Sequence, residues 1–378
     1  MVHAWFFITD PDTPSFCLPV LPDQCGTPWQ KTYCSFHQSA LKSPNNTKFL
    51  SYYCDGKGCG GVGNRIRGVV SLFYLAMLTN RTFLIHWGGP GKLEDYLEPN
   101  QVAWSFPLNS VGHFRKTYWG VYGPPSGYDM SRIEPEEEFI NWTTHADFDG
   151  TLSHLDAIGT IWSFSQNLWT NPFLGERARQ LGIPDSPRKM LGCAFHFLFK
   201  QTGSMKTVLN KARASLARQS PLLGIHIRTS DHHFGVSNPH SYRSRNTSSF
   251  FVCAIRQSTF IRDYINPKLT KLKWFLAADD QAVKNMAIKK YRHKIVTLGI
   301  KPRHLEYDRT KDTVLRDVLT DAFLLAESNF LILTSTSSLS VLVAAVGLHG
   351  EDTIADGELC LVNATSLIKA MSRFSSRG

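Results

Sequence analysis

Between residues 49 and 87 the chain passes through FLSYYC, a glycine-rich loop, an apolar run of helical period and TFLIHW. The spacing predicts a strand over 49–54, a helix over 66–80 and a second buried strand over 82–87, a β-loop-α-β unit. Strands separated by a helix belong to a parallel sheet, whose two faces must both be covered. The loop, GCGGVGNRIRG over 58–68, holds five glycines and two arginines. Its plain reading is a tight strand-to-helix turn; its functional one is a backbone able to come close to a ligand.

Length and composition frame that unit. With 378 residues and 42% hydrophobic content the chain can build two domains with substantial cores. The net charge of +10 suits an anionic ligand, but the cations are scattered. The mild clusters Lys268, Lys271, Lys273 and Lys289, Lys290, Arg292 read as solvated helix faces, so no nucleic-acid partner is expected. Eight cysteines, five of them Cys17, Cys25, Cys34, Cys54 and Cys59, and Asn-X-Ser/Thr acceptors at Asn45, Asn80, Asn141, Asn246 and Asn363 point to the secretory lumen, Golgi or ER. Cys54 and Cys59 flank DGKG closely enough for a loop disulfide. No apolar run reaches the roughly 18 residues of a membrane span, and a membrane anchor or signal is expected to lie outside this chain.

The alternation returns in the second half, with strands expected at 222–228, 273–278, 294–299 and 330–334 and helices around 248–263, 281–291, 313–328 and 337–347. Residues 88–150, rich in Gly, Pro, Trp and Tyr, read as insertions, and 151–219 as mainly helical. This gives an α/β chain in three parts: a Cys/Pro-rich segment 1–48, a Rossmann-like domain 49–215 and a second Rossmann-like domain 216–378. Ligands of such sheets bind beyond the carboxyl ends of the strands. Three polar clusters stand there: Arg228 to Asp231, Asp279 with Asp280, and Thr334, Ser335, Thr336, Ser337 and Ser338. An arginine fork together with hydroxyls and amides opening a helix would hold a diphosphate. Taken singly, each cluster has a structural explanation, an ion pair for the arginine and helix caps for the others.

HIRTSD (226–231) resembles the His-X-Arg motif of the fucosyltransferase superfamily that includes core α1,6-fucosyltransferases, nodulation fucosyltransferases and protein O-fucosyltransferases. LAADD resembles its second motif, DAFLLAESNFLILTSTSSLSVL (321–342) its third, and GGVGNRIRG with NRTFLIHW the N-terminal loop of protein O-fucosyltransferases. The resemblance spans roughly 49–87 and 222–347. It implies a GT-B fold, two Rossmann-like parallel-sheet domains facing across a cleft, and inverting transfer of fucose from GDP-fucose to a glycan or glycoprotein acceptor without a metal or other cofactor. Arg228 would contact the β-phosphate and leaving oxygen, His226 and Asp321 the guanine and ribose end, and Ser337 a phosphate, with Asp280 ordering the pocket. Gly60, Gly61 and Gly63 would approach the donor or acceptor from the opposite domain, and Asn64 and Arg65 would line the cleft mouth. Core α1,6 enzymes carry a second arginine where this chain has Thr229, and a glutamate where it reads HHFGVSNPH. The general base therefore stays open among Asp231, His232, His233, His240 and Asp55.

Other readings carry less. GCGGVG also fits the dinucleotide fingerprint of an NAD-dependent oxidoreductase, but the next strand ends in His86, Trp87, Gly88 instead of an acidic ribose ligand. Asp10 with Asp12 and Asp147 with Asp149 could serve a cation-dependent glycosyltransferase, yet both pairs lie among turn residues. A zinc site from Asp231, His232, His233 and His240 is opposed by the divergence of adjacent side chains. Hydrolase motifs are missing from the sequence. A non-catalytic GDP- or glycan-binding protein on the same fold is the remaining alternative.

Overall fold

The computed structural model describes residues 17–55, 58–120, 128–133, 136–216, 222–229, 246–265, 272–305 and 313–360. The first half contributes β1 (Phe49–Cys54), β2 (Thr82–Trp87), β3 (Leu97–Pro99), β4 (Arg115–Gly120), β5 (Met130–Ile133), β6 (Leu155–Thr160) and β7 (Phe199–Gln201). The second contributes β8 (Leu222–Ile227), β9 (Lys273–Ala278), β10 (Ile295–Val296), β11 (Phe330–Leu333) and β12 (Ile354–Asp356). They form two wholly parallel five-stranded sheets, β2-β1-β6-β4-β5 and β10-β9-β8-β11-β12, with β3 and β7 paired apart from them.

Strand order determines where a ligand can enter. In the second sheet the chain builds outward from β8 through β9 to β10, then returns to the other side of β8 with β11 and β12. Such a reversal opens a crevice beyond the strand ends on either side of the break, here the ends of β8 and β11. The first sheet reverses beside β1, whose end leads into the glycine loop.

The helix after that loop, Val62–Leu78, is buried along most of its length, so the 3.6-residue alternation is weak and every face is packed. The main core runs continuously from it into the helices Thr313–Ala326 and Ser338–Val346. Arg213 extends the join at the surface, donating from Nε to Oε2 of Glu327 at 2.9 Å. All eight cysteines are paired: Cys54–Cys59 as expected, and Cys17–Cys34, Cys25–Cys193 and Cys253–Cys360. Cys25–Cys193 pins the N-terminal segment to the helix Pro187–Leu198.

Three expectations need correction. The strand expected at 294–299 is only Ile295–Val296. Residues 88–150 contain two strands of the first five-stranded sheet, β4 and β5, rather than insertions alone. The span 151–219 includes β6, the strand between β1 and β4.

Candidate functional site

Arg228 follows β8 at the crevice. Its backbone N–H donates to Thr334 Oγ1 at 3.0 Å, and its Nη1 lies 3.3 Å from Asp279 Oδ2. The Asp279 carboxylate also accepts from the Thr229 amide (2.9 Å) and hydroxyl (2.9 Å), so one buried acid fixes the turn that carries the guanidinium. The Arg228 side chain stays 19% exposed, enough for a ligand to reach it. Thr334 thus braces the HIR segment through its hydroxyl. Ser335 is exposed, and Ser337 is the N-cap of the helix Ser338–Val346 without a side-chain cap bond. The first amides of that helix point at the crevice and carry the positive end of its dipole.

A second helix start meets it there. The N-cap of Val62–Leu78 is Gly61, which has no side chain to cap with. A Cβ on Gly63 would stand 2.4 Å from the Ser338 carbonyl carbon and 2.6 Å from the Leu339 amide nitrogen, so the two helix starts touch backbone to backbone. Gly63 therefore approaches the opposing half of the protein, not a ligand, a correction to the role the resemblance implied. Gly60, at φ +72°, has the Asn64 side chain folded back over it.

Arg65 departs from expectation as well. It is fully buried, donating from Nε to Gly60 O (2.9 Å) and from Nη1 to Gly89 O (2.6 Å), with its guanidinium 5.1 Å above the Trp87 ring. It ties the loop to the end of β2 and does not line the cleft mouth. Asp280 follows the plain reading too, capping the helix Gln281–Tyr291 through the Ala282 amide at 2.7 Å.

His226 is buried with Nδ1 2.7 Å from Ser340 Oγ. Burial, then the nearby Arg228 charge, pushes its pKa down to about 3, so the ring is neutral. Asp321 is half-buried, with Oδ1 enclosed and lacking a hydrogen-bond partner among the described residues. Burial lifts its pKa to about 6, with Lys284 pulling it down and Asp317 pushing it up. A buried oxygen left unmatched costs stability unless a donor arrives. His304 was not singled out from the sequence: it lies beside Gly61 and close to both Arg228 and Arg65. With β10 so short, it stands eight positions past the strand end, outside the window that strand-end inspection covers.

Asp55 is exposed at the end of β1, beside Gly88, and its charge acts on His86, which stacks on Tyr53 at 4.5 Å. The other base candidates Asp231, His232, His233 and His240, and with them the zinc reading, lie outside the described residues, as do Asp10 and Asp12. Asp147 caps a short helix through the Asp149 and Gly150 amides, and Asp149 pairs with Arg81 at 3.6 Å, as turn residues do.

Buried neutral histidines make stability depend on pH. His37 is held down to about 4 by burial and His226 to about 3, against 6.5 when exposed. The unfolded chain therefore binds their protons first. Their contribution is complete above pH 6.5 and is lost as pH falls toward 4, at roughly 1.4 kcal/mol per pH unit for each. Asp321 opposes one of these protons, since its folded carboxyl is protonated first, between its ordinary 3.8 and about 6. Denaturant titrations are expected to show a net loss of stability below pH 6.5; a flat profile contradicts the buried neutral assignments.

Residues 185–344 match the family described as alpha-(1,6)-fucosyltransferase N- and catalytic domains. No curated protein matches the chain. Among solved structures, an arginine-to-lysine variant of Arabidopsis thaliana FUT1 in complex with GDP is 14% identical, with 87% of this chain and 80% of that one covered and a TM-score of 0.52. The fucosyltransferase NodZ from Bradyrhizobium is 15% identical, with 79% and 93% covered and a TM-score of 0.45. POFUT1 in complex with GDP-fucose is 11% identical, with 82% and 96% covered and a TM-score of 0.42. The two parallel sheets meeting at their switch points make this a GT-B fold. The stretch 185–344 that carries HIR, LAADD and TSTSS is the part of the chain similar to that fucosyltransferase family.

Proposed function

We propose that the chain transfers fucose from GDP-fucose to a glycan or glycoprotein acceptor, with inversion and without a metal ion. The observation that carries this reading is the meeting of two uncapped helix starts with Arg228 at the switch points of both sheets. Amides, dipole ends and a guanidinium fork can together bind a diphosphate and stabilise the charge it gains on departure. The matched family and the GDP and GDP-fucose held by similar folds support the choice of donor. In this reading the part before residue 216 holds the acceptor and the part after it holds the donor.

The acceptor oxygen attacks the sugar carbon from the first-domain side, the bond from that carbon to the phosphate oxygen breaks, and GDP leaves with the electron pair. The acceptor's proton passes to a base, for which Asp55 is the described candidate. Four disulfides fit an oxidising compartment, and the Golgi or ER lumen is part of the proposal. Among the described residues no helix is long and apolar enough to cross a membrane.

Two experiments test the reading. Fucose transfer from GDP-fucose to a glycoprotein mixture is expected to persist in EDTA, because arginine and helix amides supply the positive charge. Loss on chelation, restored by manganese, contradicts this. The second concerns the base. In this reading the Asp321 carboxylate, one of whose oxygens is unmatched, accepts from the N1–H and exocyclic amine of guanine, a donor pair that uracil lacks. Asp321→Asn turns one acceptor into a donor and is expected to weaken GDP binding by about 1 to 3 kcal/mol, measured by calorimetry against UDP. Unchanged GDP affinity and preference would return Asp321 to a structural role.

A further inference from the structure

The His304 imidazole stands at the junction of the two halves. Leu305 beside it is buried in the main core and anchors the segment. A Cβ on Gly61 would stand 3.1 Å from His304 Nε2 and 3.5 Å from Cε1, so the ring edge rests against the start of the Val62–Leu78 helix. The described charges that act on the ring are Arg228, from the end of β8, and Arg65, from the opposing helix. Burial, then these two guanidiniums, hold its pKa down to about 3. The ring is therefore a neutral group in a positively charged corner that faces the proposed diphosphate position, where Arg228 and the helix starts converge.

An incoming diphosphate changes the electrostatics of that corner. A negative charge about 4 Å away in a surface-like dielectric is worth about 4 kcal/mol to a neighbouring cation, so an entering diphosphate shifts the ring's pKa upward, toward the neutral range. We propose that His304 is a catalytic residue of the transfer, taking a proton from solvent as the donor's diphosphate enters and holding the departing diphosphate as an imidazolium. This rests on the GDP-fucose reading above. In the chemical step the acceptor oxygen bonds to the sugar carbon, the carbon–phosphate oxygen bond breaks toward GDP, and the acceptor's proton goes to the base. His304 returns its own proton to solvent when GDP leaves, so no net proton is consumed through it.

The test uses GDP-fucose itself, whose phosphates are both diesters, whereas the terminal phosphate of GDP titrates near pH 6 and would obscure the signal. Calorimetric titration at about pH 6.5, in two buffers of different ionisation enthalpy, reads the protons taken up on binding. Any proton that Asp321 releases against guanine appears equally in the wild type and in His304→Gln, so the difference isolates His304. The wild type is expected to take up about half to one proton more than the variant. The variant is expected to bind about tenfold more weakly, with kcat falling further than KM rises. His304→Asn replaces it if the glutamine variant does not fold. Donor binding with equal proton uptake in both proteins overturns the role of His304 and leaves the donor assignment standing. Failure of the wild type to bind GDP-fucose overturns the donor assignment, and this role with it.

Discussion

Arg228→Lys is expected to lower fucose transfer about 100- to 1,000-fold with thermal stability nearly unchanged. Lysine keeps one charge at the end of β8 but loses the planar fork, and removing one well-aimed donor from developing negative charge costs about 3 to 4 kcal/mol. The fold should tolerate the change. Asp279 retains the Thr229 amide and hydroxyl as partners, and Thr334 bonds the backbone at position 228, which the substitution leaves in place. Steady-state rates with melting curves check it; near-wild-type turnover removes Arg228 from the leaving-group site.

The other large effect is on stability. Gly63→Val places branched carbons where a single Cβ already falls 2.4 Å from the Ser338 backbone, and neither helix start can yield as a flexible side chain could. Overpacking of this kind costs typically 1 to 3 kcal/mol and occasionally more, and backbone on backbone belongs at the upper end, about 3 kcal/mol or above. Transfer should fall with stability, because the displaced Ser338–Val346 helix start is part of the proposed diphosphate site. Gly203→Ala is the control. Nothing lies within 4 Å of its added carbon, and the residue opens a helix, so a gain of about 0.4 to 1 kcal/mol is expected. Equal melting temperatures for Gly63→Val and the wild type contradict the close packing of the two helix starts.

What the sequence showed follows from how each residue is buried. FLSYYC, TFLIHW and KWFLAA are short apolar runs bounded by turn residues, and the strands have those same limits. LDAIGT hid β6 because a strand in the middle of a sheet is not expected to hold an aspartate. Asp156 is tolerated there because Arg115 Nε meets its Oδ1 at 2.7 Å and the Ser153 amide bonds the other oxygen. β4 hid for a similar reason, its Arg115 and Lys116 being the half-exposed start of a strand buried from Thr117 onward. At the site, strand-end inspection found Arg228, Asp279 and the TSTSS helix start. The cleft-mouth position that the resemblance implies for Arg65 is not the one it takes, because a cation in a glycine-rich loop looks solvent-facing until Trp87 and the carbonyls of Gly60 and Gly89 are seen to enclose it. Gly63 was read as facing a ligand because sequence shows that a backbone can be approached, not by what.

Selective binding of GDP separates a GDP-fucose transferase from the other readings of this fold. The protein should be melted alone and with GDP, UDP, CMP and NAD, each added in excess. A ligand present at about 100 times its dissociation constant adds roughly 2.7 kcal/mol to the stability of the folded state. A clear upward shift is expected with GDP, little or none with UDP and CMP, and none with NAD. A shift with NAD or UDP and none with GDP would contradict the GDP-fucose reading.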